Sequence, residues 1–412
     1  MYRQHSRPLC KQATAALLLA VAALNLHAEI STDGTMGTAL QLTGPDYAIT
    51  EDLGTRTGNN LFHSFTYFSI ATGESATFSG APEISNVIGR VTGGEVSSID
   101  GALNSSIPNA DVYLVNPAGV VFGANASIDV NGSFHTSTAD YVRLGTDGRF
   151  DASNPGNTTL STAAPSAFGF LGAPAGITLD NSTLEVPDGE TLTLVSGDID
   201  MQDATLHAAE GNIHLASVAS AGEAIITPDG LDTGDFEQLG TIEVGHTGNF
   251  YLRRLANLDT SGNSGGVVSI RAGRFVMDNG YIFADNVDGN GGHVDIQATG
   301  SVVMRNEALA TADTFGSGTG GNIVVSTADL VMQDGGVIQV DNYGPGEGGT
   351  LTVNAANSVS IAGESPDELP YIGGIKAGLY AGSFGDGTGG TIDITAPEIN
   401  IGASGKIELN AS

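Results

Sequence analysis

The chain holds almost nothing that could crosslink it and little positive charge. Of 412 residues one is cysteine, Cys10, and none is tryptophan. Lys and Arg number 14 against 46 Asp and Glu, a formal net charge of −32. Such a charge repels phosphate and speaks against nucleic acid as a partner. Anionic membrane surfaces are disfavoured for the same reason. One long apolar run occurs, Ala13 to Leu24, shorter than the ~20 residues of a spanning helix. The chain therefore has no expected membrane-spanning segment. Glycine is what the chain has in plenty, 59 residues, about twice the usual share. These glycines lack the three-residue period of collagen. Bulk disorder is excluded too, because 40% of residues are apolar and alternate with polar ones.

Arg3, Arg7 and Lys11 precede the apolar run, and Leu26-His27-Ala28 follows it. This is the pattern of a secretory signal peptide over residues 1–28, cleaved after Ala28. Cleavage removes three basic residues and no acidic one, so the mature charge is 11 − 46 = −35. Cys10 leaves with it, and the mature chain enters an oxidising compartment with no disulfide. Cys10 precedes the apolar run and is misplaced for a lipid anchor.

The second half repeats. Gly-Gly pairs start at Gly265, Gly291, Gly320, Gly348 and Gly389, with spacings of 26, 29, 28 and 41. Each opens an alternating run, such as Gly292-His-Val-Asp-Ile-Gln or Gly321-Asn-Ile-Val-Val-Ser. Two more short runs follow, as in Arg274-Phe-Val-Met-Asp and Tyr281-Ile-Phe-Ala-Asp. Period-two alternation marks strands with one buried face. Three strands per repeat at near-constant period describe one coil of a solenoid. The expected fold is all-β: a single-stranded, right-handed parallel β-helix with three strands per coil and an N-terminal cap. Less regular runs between Ile177 and Leu258 read as earlier coils. The longer fourth repeat carries an insertion, Glu364 to Tyr371, with two prolines and three acids. It reads as a protruding loop.

Several motif matches fail their context. Gly316-x-Gly318-x-x-Gly321 and its copies at Gly344 and Gly385 match a dinucleotide fingerprint. A strand follows each, where a phosphate-binding helix is required. Gly262-Asn-Ser-Gly-Gly266 resembles a serine-protease nucleophile loop but has no partnered base. His63, His135, His207, His214, His246 and His293 form no H-x-H or H-x-x-x-H pair, so no zinc site is signalled. Neither metal nor cofactor is expected. Asp278, Asp285, Asp288 and Asp295 could converge on stacked coils, as an acid/base set or for calcium. Acids at strand ends also guard a repetitive sheet against edge pairing.

The N-terminal region carries a resemblance. It contains Asn59-Asn60-Leu61-Phe-His-Ser-Phe, then Asn86-Val-Ile-Gly-Arg-Val-Thr-Gly-Gly. Asn116-Pro117-Ala118-Gly119 follows, and then Phe122-Gly-Ala-Asn-Ala-Ser-Ile-Asp-Val-Asn-Gly. In that order they resemble the secretion domain of the filamentous haemagglutinin family, the exoproteins of two-partner secretion. Read physically, Asn116 to Gly119 is a turn between two apolar runs, with Pro117 second and Gly119 near a positive φ. The family usually has Asn where Ala118 stands, which questions any partner contact by that side chain. Its other Asn-Pro motif has no clear match, and Asn59 to Phe62 occupy the place.

The resemblance implies a non-enzymatic exoprotein of a diderm bacterium, moved through the periplasm and secreted or held at the cell surface. Its implied partner is an outer-membrane barrel transporter with periplasmic POTRA domains. Asn59, Asn60, Leu61, Asn116, Pro117 and Gly119 are the expected recognition residues. The chain then divides into a signal peptide (1–28), a secretion domain (29–175) and a β-helical stalk (176–412). Adhesion to a host or neighbouring cell is the expected use of the stalk. The alternatives are a secreted carbohydrate-active β-helix enzyme and a haem- or protein-binding exoprotein. For the last, Glu364, Asp367, Glu368 and Tyr371 are the candidate binding loop.

Overall fold

The structure, a computed structural model, describes residues 29–247, 257–365 and 374–410. The expected signal peptide lies outside the described residues. Within them the chain is all-β, with short 3-10 turns at Glu51–Leu53 and Pro155–Asn157 and no α-helix. No helix among them is long and apolar enough to cross a membrane.

Three parallel ladders make a β-helix. The first begins at Asn60–Phe68 and passes through Asn86–Val91, Asp111–Val115, Phe134–Ser137, Thr191–Ser196 and Asn212–Ser217. It continues into Val267–Asp278 and ends at Thr391–Thr395. The second starts at Ser97–Ile99 and climbs by way of Val120–Phe122, Ile177–Asp180, Ile199–Gln202 and Thr241–Gly245. The third comes in two stretches, Asp46–Thr50 to Ser127–Asp129 and Thr183–Glu185 to Lys406–Glu408.

The first two runs after each of the first four Gly-Gly pairs, expected as separate strands, are one strand; after the fifth they stay separate, as Thr391–Thr395 and Glu398–Ile401. Val267–Asp278 serves both ladders, bending at a register shift between Ala272 and Arg274. A bulge of this kind turns the chain from one face to the next without ending pairing. Inward residues of successive coils, such as Leu192, Ile213, Val268 and Val294, stack fully buried. Each contributes about 1.5–3 kcal/mol of burial. The Gly-Gly repeat has a steric cause. A Cβ on Gly291 would lie 2.3 Å from Gly320, and one on Gly320 would lie 2.1 Å from Gly349. Corners of successive coils touch backbone to backbone, where only glycine fits.

The start of the helix is capped. Ile30–Thr32 and Thr55–Thr57 pair antiparallel with Asn60–Phe68 and cover the edge of the first coil. A second sheet, not foreseen in the sequence, lies against the first ladder. It is antiparallel, built from Tyr141–Leu144, Gly148–Asp151, Pro165–Phe170, Gly222–Thr227 and Gly230–Asp232. The outward residues Phe62, Ile88, Tyr113 and Val195 pack beneath its Phe150 and Phe168 as a second apolar core. The interior core runs unbroken past residue 175, which lies between Pro165–Phe170 and Ile177–Asp180.

Three histidines are trapped in these cores. His63 lies inside the first coil, 5.5 Å from the Phe78 ring, and His135 stacks on Tyr113 at 4.3 Å. Burial pushes His63 and His214 down to about 4 and His135 to about 3. Unfolded, each would titrate near 6.5. Below that value the unfolded chain binds protons the fold refuses, so their contribution is intact above pH 6.5 and lost as pH falls towards 4. Urea unfolding at pH 7.5 and 5.0 should show the effect. His135→Phe, which keeps the ring stack, should be the less acid-sensitive by about 2 kcal/mol at pH 5.0.

Candidate functional site

The Asn116 turn forms as expected, but its asparagine faces inward. Asn116 is 0% exposed. Its Nδ2 donates to Glu95 O and Ser97 Oγ, both at 2.9 Å, while Oδ1 accepts Ala118 N–H at 2.9 Å. Gly119 N closes the turn on Asn116 O at 3.0 Å, with Gly119 at φ +118°. Pro117 and Ala118 are half-buried. The turn leads directly into Val120–Phe122 and so sets where that rung meets Ser97–Ile99 in the second ladder.

Asn60 sits at the head of the first ladder, 1% exposed. Its Nδ2 reaches Ser161 O at 3.0 Å and Ala163 O at 2.8 Å, and its Oδ1 accepts from Asn86 Nδ2 at 2.8 Å. It thereby ties the coil to the segment leading into the second sheet. Leu61 is a core residue at 0% exposure, whereas Asn59 is exposed. The Asn59–Leu61 and Asn116–Gly119 groups have separate hydrogen-bond partners and do not form one constellation.

The residue that sequence reasoning missed is Arg90, opposite Ser64 in the ladder and 1% exposed. Its Nε donates to Ser64 Oγ at 2.7 Å. Nη1 donates to Asp151 O at 2.5 Å and Thr158 Oγ1 at 2.6 Å, and Nη2 to Thr35 Oγ1 at 2.9 Å. The guanidinium lies 4.3 Å over the Phe150 ring. Burial lowers its pKa to about 10, partly offset by the charges of Asp33 and Asp151. Asp33 in turn accepts from Ser64, Thr92 and Thr35 at 2.6–2.9 Å. Burial pushes Asp33 up, but these hydrogen bonds outweigh it and hold the carboxyl below its usual value. A lone arginine in the otherwise apolar run Val87–Val91 was the available signal.

A groove of about 990 Å³ lies between the second sheet and the outer faces of Val267–Asp278 and His293–Arg305. Asp229, Asp232 and Phe236 line one wall, and Arg271, His293 and Asp295 the other. Arg271 Nη2 donates to Asp295 Oδ2 at 2.6 Å. Among the described residues the wall strand, Gly230–Asp232, pairs on one side only, with Gly222–Thr227. Its other side is an unpaired sheet edge, at which Asp232 is exposed and Gly230 and Leu231 are buried.

The four acids grouped from sequence disperse. Asp278 pairs with Arg305 at 2.8 Å, Asp295 with Arg271, and exposed Asp288 accepts Ser317 N–H at 2.9 Å. Asp285 is half-buried elsewhere, accepting from Thr311 Oγ1 and Asp313 N. Among the described residues no three His, Cys, Asp or Glu side chains are grouped to hold a metal ion. Of the candidate loop, Glu364 accepts from Ser404 Oγ at 3.1 Å. Asp367, Glu368 and Tyr371 lie outside the described residues.

Two substitutions test this construction. Arg90→Ala removes the charge opposite Asp33 and leaves buried acceptors, and should cost about 3–5 kcal/mol in urea unfolding, with Arg90→Lys between it and the parent. Asn116→Ala loses three side-chain hydrogen bonds and should cost about 2–3 kcal/mol by the same measurement.

The comparisons with known proteins accord with this architecture. The solved structure of the HMW1 secretion domain from Haemophilus influenzae aligns with 92% of this chain and 98% of its own. The TM-score is 0.59 at 18% identity, a likeness of fold. A filamentous hemagglutinin secretion domain aligns with 86% of this chain and 91% of its own, at 11% identity. Its TM-score of 0.32 is too low to argue from. No curated protein matches the chain. The family model of the TPS secretion domain matches residues 28–270. That span ends within Val267–Asp278, on the coil where the second sheet stops covering the first ladder. The family points to a non-enzymatic exoprotein secreted through an outer-membrane transporter. By this match over more than half its length, the chain belongs to the two-partner secretion exoproteins and carries their TPS secretion domain.

Proposed function

We propose that the capped coils and the second sheet are read by the periplasmic POTRA domains of an outer-membrane barrel transporter, through strand addition at Gly230–Asp232. The observation that supports this reading is the unpaired edge of that strand along the groove, where Asp232 is exposed. Edge addition supplies main-chain hydrogen bonds, and the groove supplies side-chain pockets. In this reading Asn59, which is exposed, and Pro117, which is half-buried, touch the partner. Asn60, Leu61, Asn116 and Gly119 act through folding, because they are buried and spent on internal contacts.

The chain beyond the recognised coils crosses the barrel unfolded and folds outside, coil by coil. Each coil contacts only its neighbours, so folding propagates as the chain emerges. A mature chain without cysteine cannot be locked by a premature disulfide. The later coils form a stalk that serves adhesion at a host or neighbouring-cell surface. The dispersal of Asp278, Asp285, Asp288 and Asp295 gives the enzyme reading no support.

The lack of cysteine makes a clean test possible. Asp232→Cys, at the exposed end of the edge strand, should crosslink to the transporter's periplasmic domains during export in a diderm host. Asp200→Cys, exposed on the second ladder, should not. Normal export with no crosslink from Asp232→Cys, or equal crosslinking from both positions, would remove the edge from the recognition surface.

A further inference from the structure

Three carboxylates stack outside the third ladder. Asp285, Asp313 and Asp341 each follow a strand of that ladder, Tyr281–Phe283, Leu309–Thr311 and Val337–Gln339, at equivalent places. Each accepts a backbone N–H from the next coil. Asp313 N reaches Asp285 Oδ1 at 2.8 Å, Asp341 N reaches Asp313 Oδ1 at 2.7 Å, and Gly382 N reaches Asp341 Oδ1 at 2.6 Å. Thr311 Oγ1 also donates to Asp285 and Gln339 Nε2 to Asp313, at 2.7 and 2.6 Å.

Aromatic rings roof this column. Phe315, Tyr343 and Phe384 stack with centroids 5.2 and 5.3 Å apart and planes within 8° and 17°. The rings are 51%, 41% and 48% exposed, yet Asp313 and Asp341 are only 3% and 7% exposed. Among the described residues no Lys, Arg or His pairs with any of the three acids. The titratable neighbours facing them are Asp259, itself paired with His207 at 3.4 Å, and the phenols of Tyr343 and Tyr380. Every one of those but His207 is acidic or neutral.

We propose that this roofed carboxylate column is a proton-operated lock on the C-terminal coils. With protons bound, the coils hold together; when the stacked carboxylates ionise, repulsion between neighbours loosens them. Burial pushes Asp285 up to about 6. Burial, and then the charge of Asp285, push Asp313 well above its usual value, and burial raises Asp341. A raised folded pKa gives stability that is full below the unfolded value of 3.8 and lost as pH rises through about 6. Mild acid therefore tightens these coils, opposite to its effect around His63, His135 and His214.

Hydrogen exchange of the full chain at pH 5.0 and 7.5, corrected for intrinsic rates, tests the lock segment by segment. Peptides spanning 281–287, 309–315 and 337–343 should be about tenfold better protected at pH 5.0, while the strand Asn60–Phe68 should lose protection. Asp313→Asn is a neutral isostere, and Gln339 can turn its amide to keep a hydrogen bond. Asp313→Asn and Asp285→Asn should each raise protection at pH 7.5 and shrink the pH difference. Equal or weaker protection of the parent at pH 5.0 would overturn the proposal, as would a pH difference that survives both substitutions. Should Asp313→Asn fail to fold, the parent profile and Asp285→Asn still decide it.

Discussion

The guanidinium of Arg90 sits where the cap, the first coils and the second sheet meet. It donates to Thr35 in the cap, to Ser64 in the first ladder, to Asp151 in the second sheet and to Thr158 in the segment that follows. Removing that charge from water is tolerable only because each side of the planar fork finds an acceptor and a ring lies beneath it. The acceptors come from segments far apart in sequence, so the site is complete only when all three parts are docked. Asn60 repeats the device on a smaller scale, holding the Ser161–Ala163 segment against the same ladder. In a chain whose repeats need only their neighbours, such long-range ties make the N-terminal coils one unit rather than a stack of independent rungs.

Beyond that unit the β-helix continues with different chemistry on its flank. The outward positions of the first ladder are apolar or aromatic where the second sheet covers them, as at Phe62, Ile88 and Tyr113. From Val267–Asp278 onward they turn polar, with Arg271, Asp295 and Gln297 at the groove. The family match stops on the same coil. The interior ladders continue without change, so the boundary is a property of the outside surface. The two halves also hold different buried titratable groups, neutral histidines in one and roofed carboxylates in the other. Acid consequently weakens one and tightens the other.

The coil was legible because its two causes are local. Alternation in runs such as Thr191-Leu-Thr-Leu-Val marks a strand, and the Gly-Gly pairs mark the corners. The Asn116 turn was legible for the same reason, since Pro117 and Gly119 fix its backbone. The direction of Asn116 was not, because only the neighbouring Glu95 and Ser97 show that the amide points inward. The long strands were read as pairs of short ones because a bulge at Gly273 interrupts the alternation without interrupting the pairing. The second sheet escaped because covering it makes both faces of a strand apolar. Val112-Tyr-Leu-Val then looks like a simple core run.

The amino-acid sequence by itself determined the solenoid, its corner glycines and its family. These depend on residue type at fixed short spacing, and a single repeat already contains them. Tertiary structure alone decided the use of Arg90, the open edge of Gly230–Asp232, the groove beside it, and the stacking of Asp285, Asp313 and Asp341 beneath aromatic rings. Each joins residues a full coil or more apart, and their contacts are set by how coils stack and which outer face is covered. No local pattern encodes that distance.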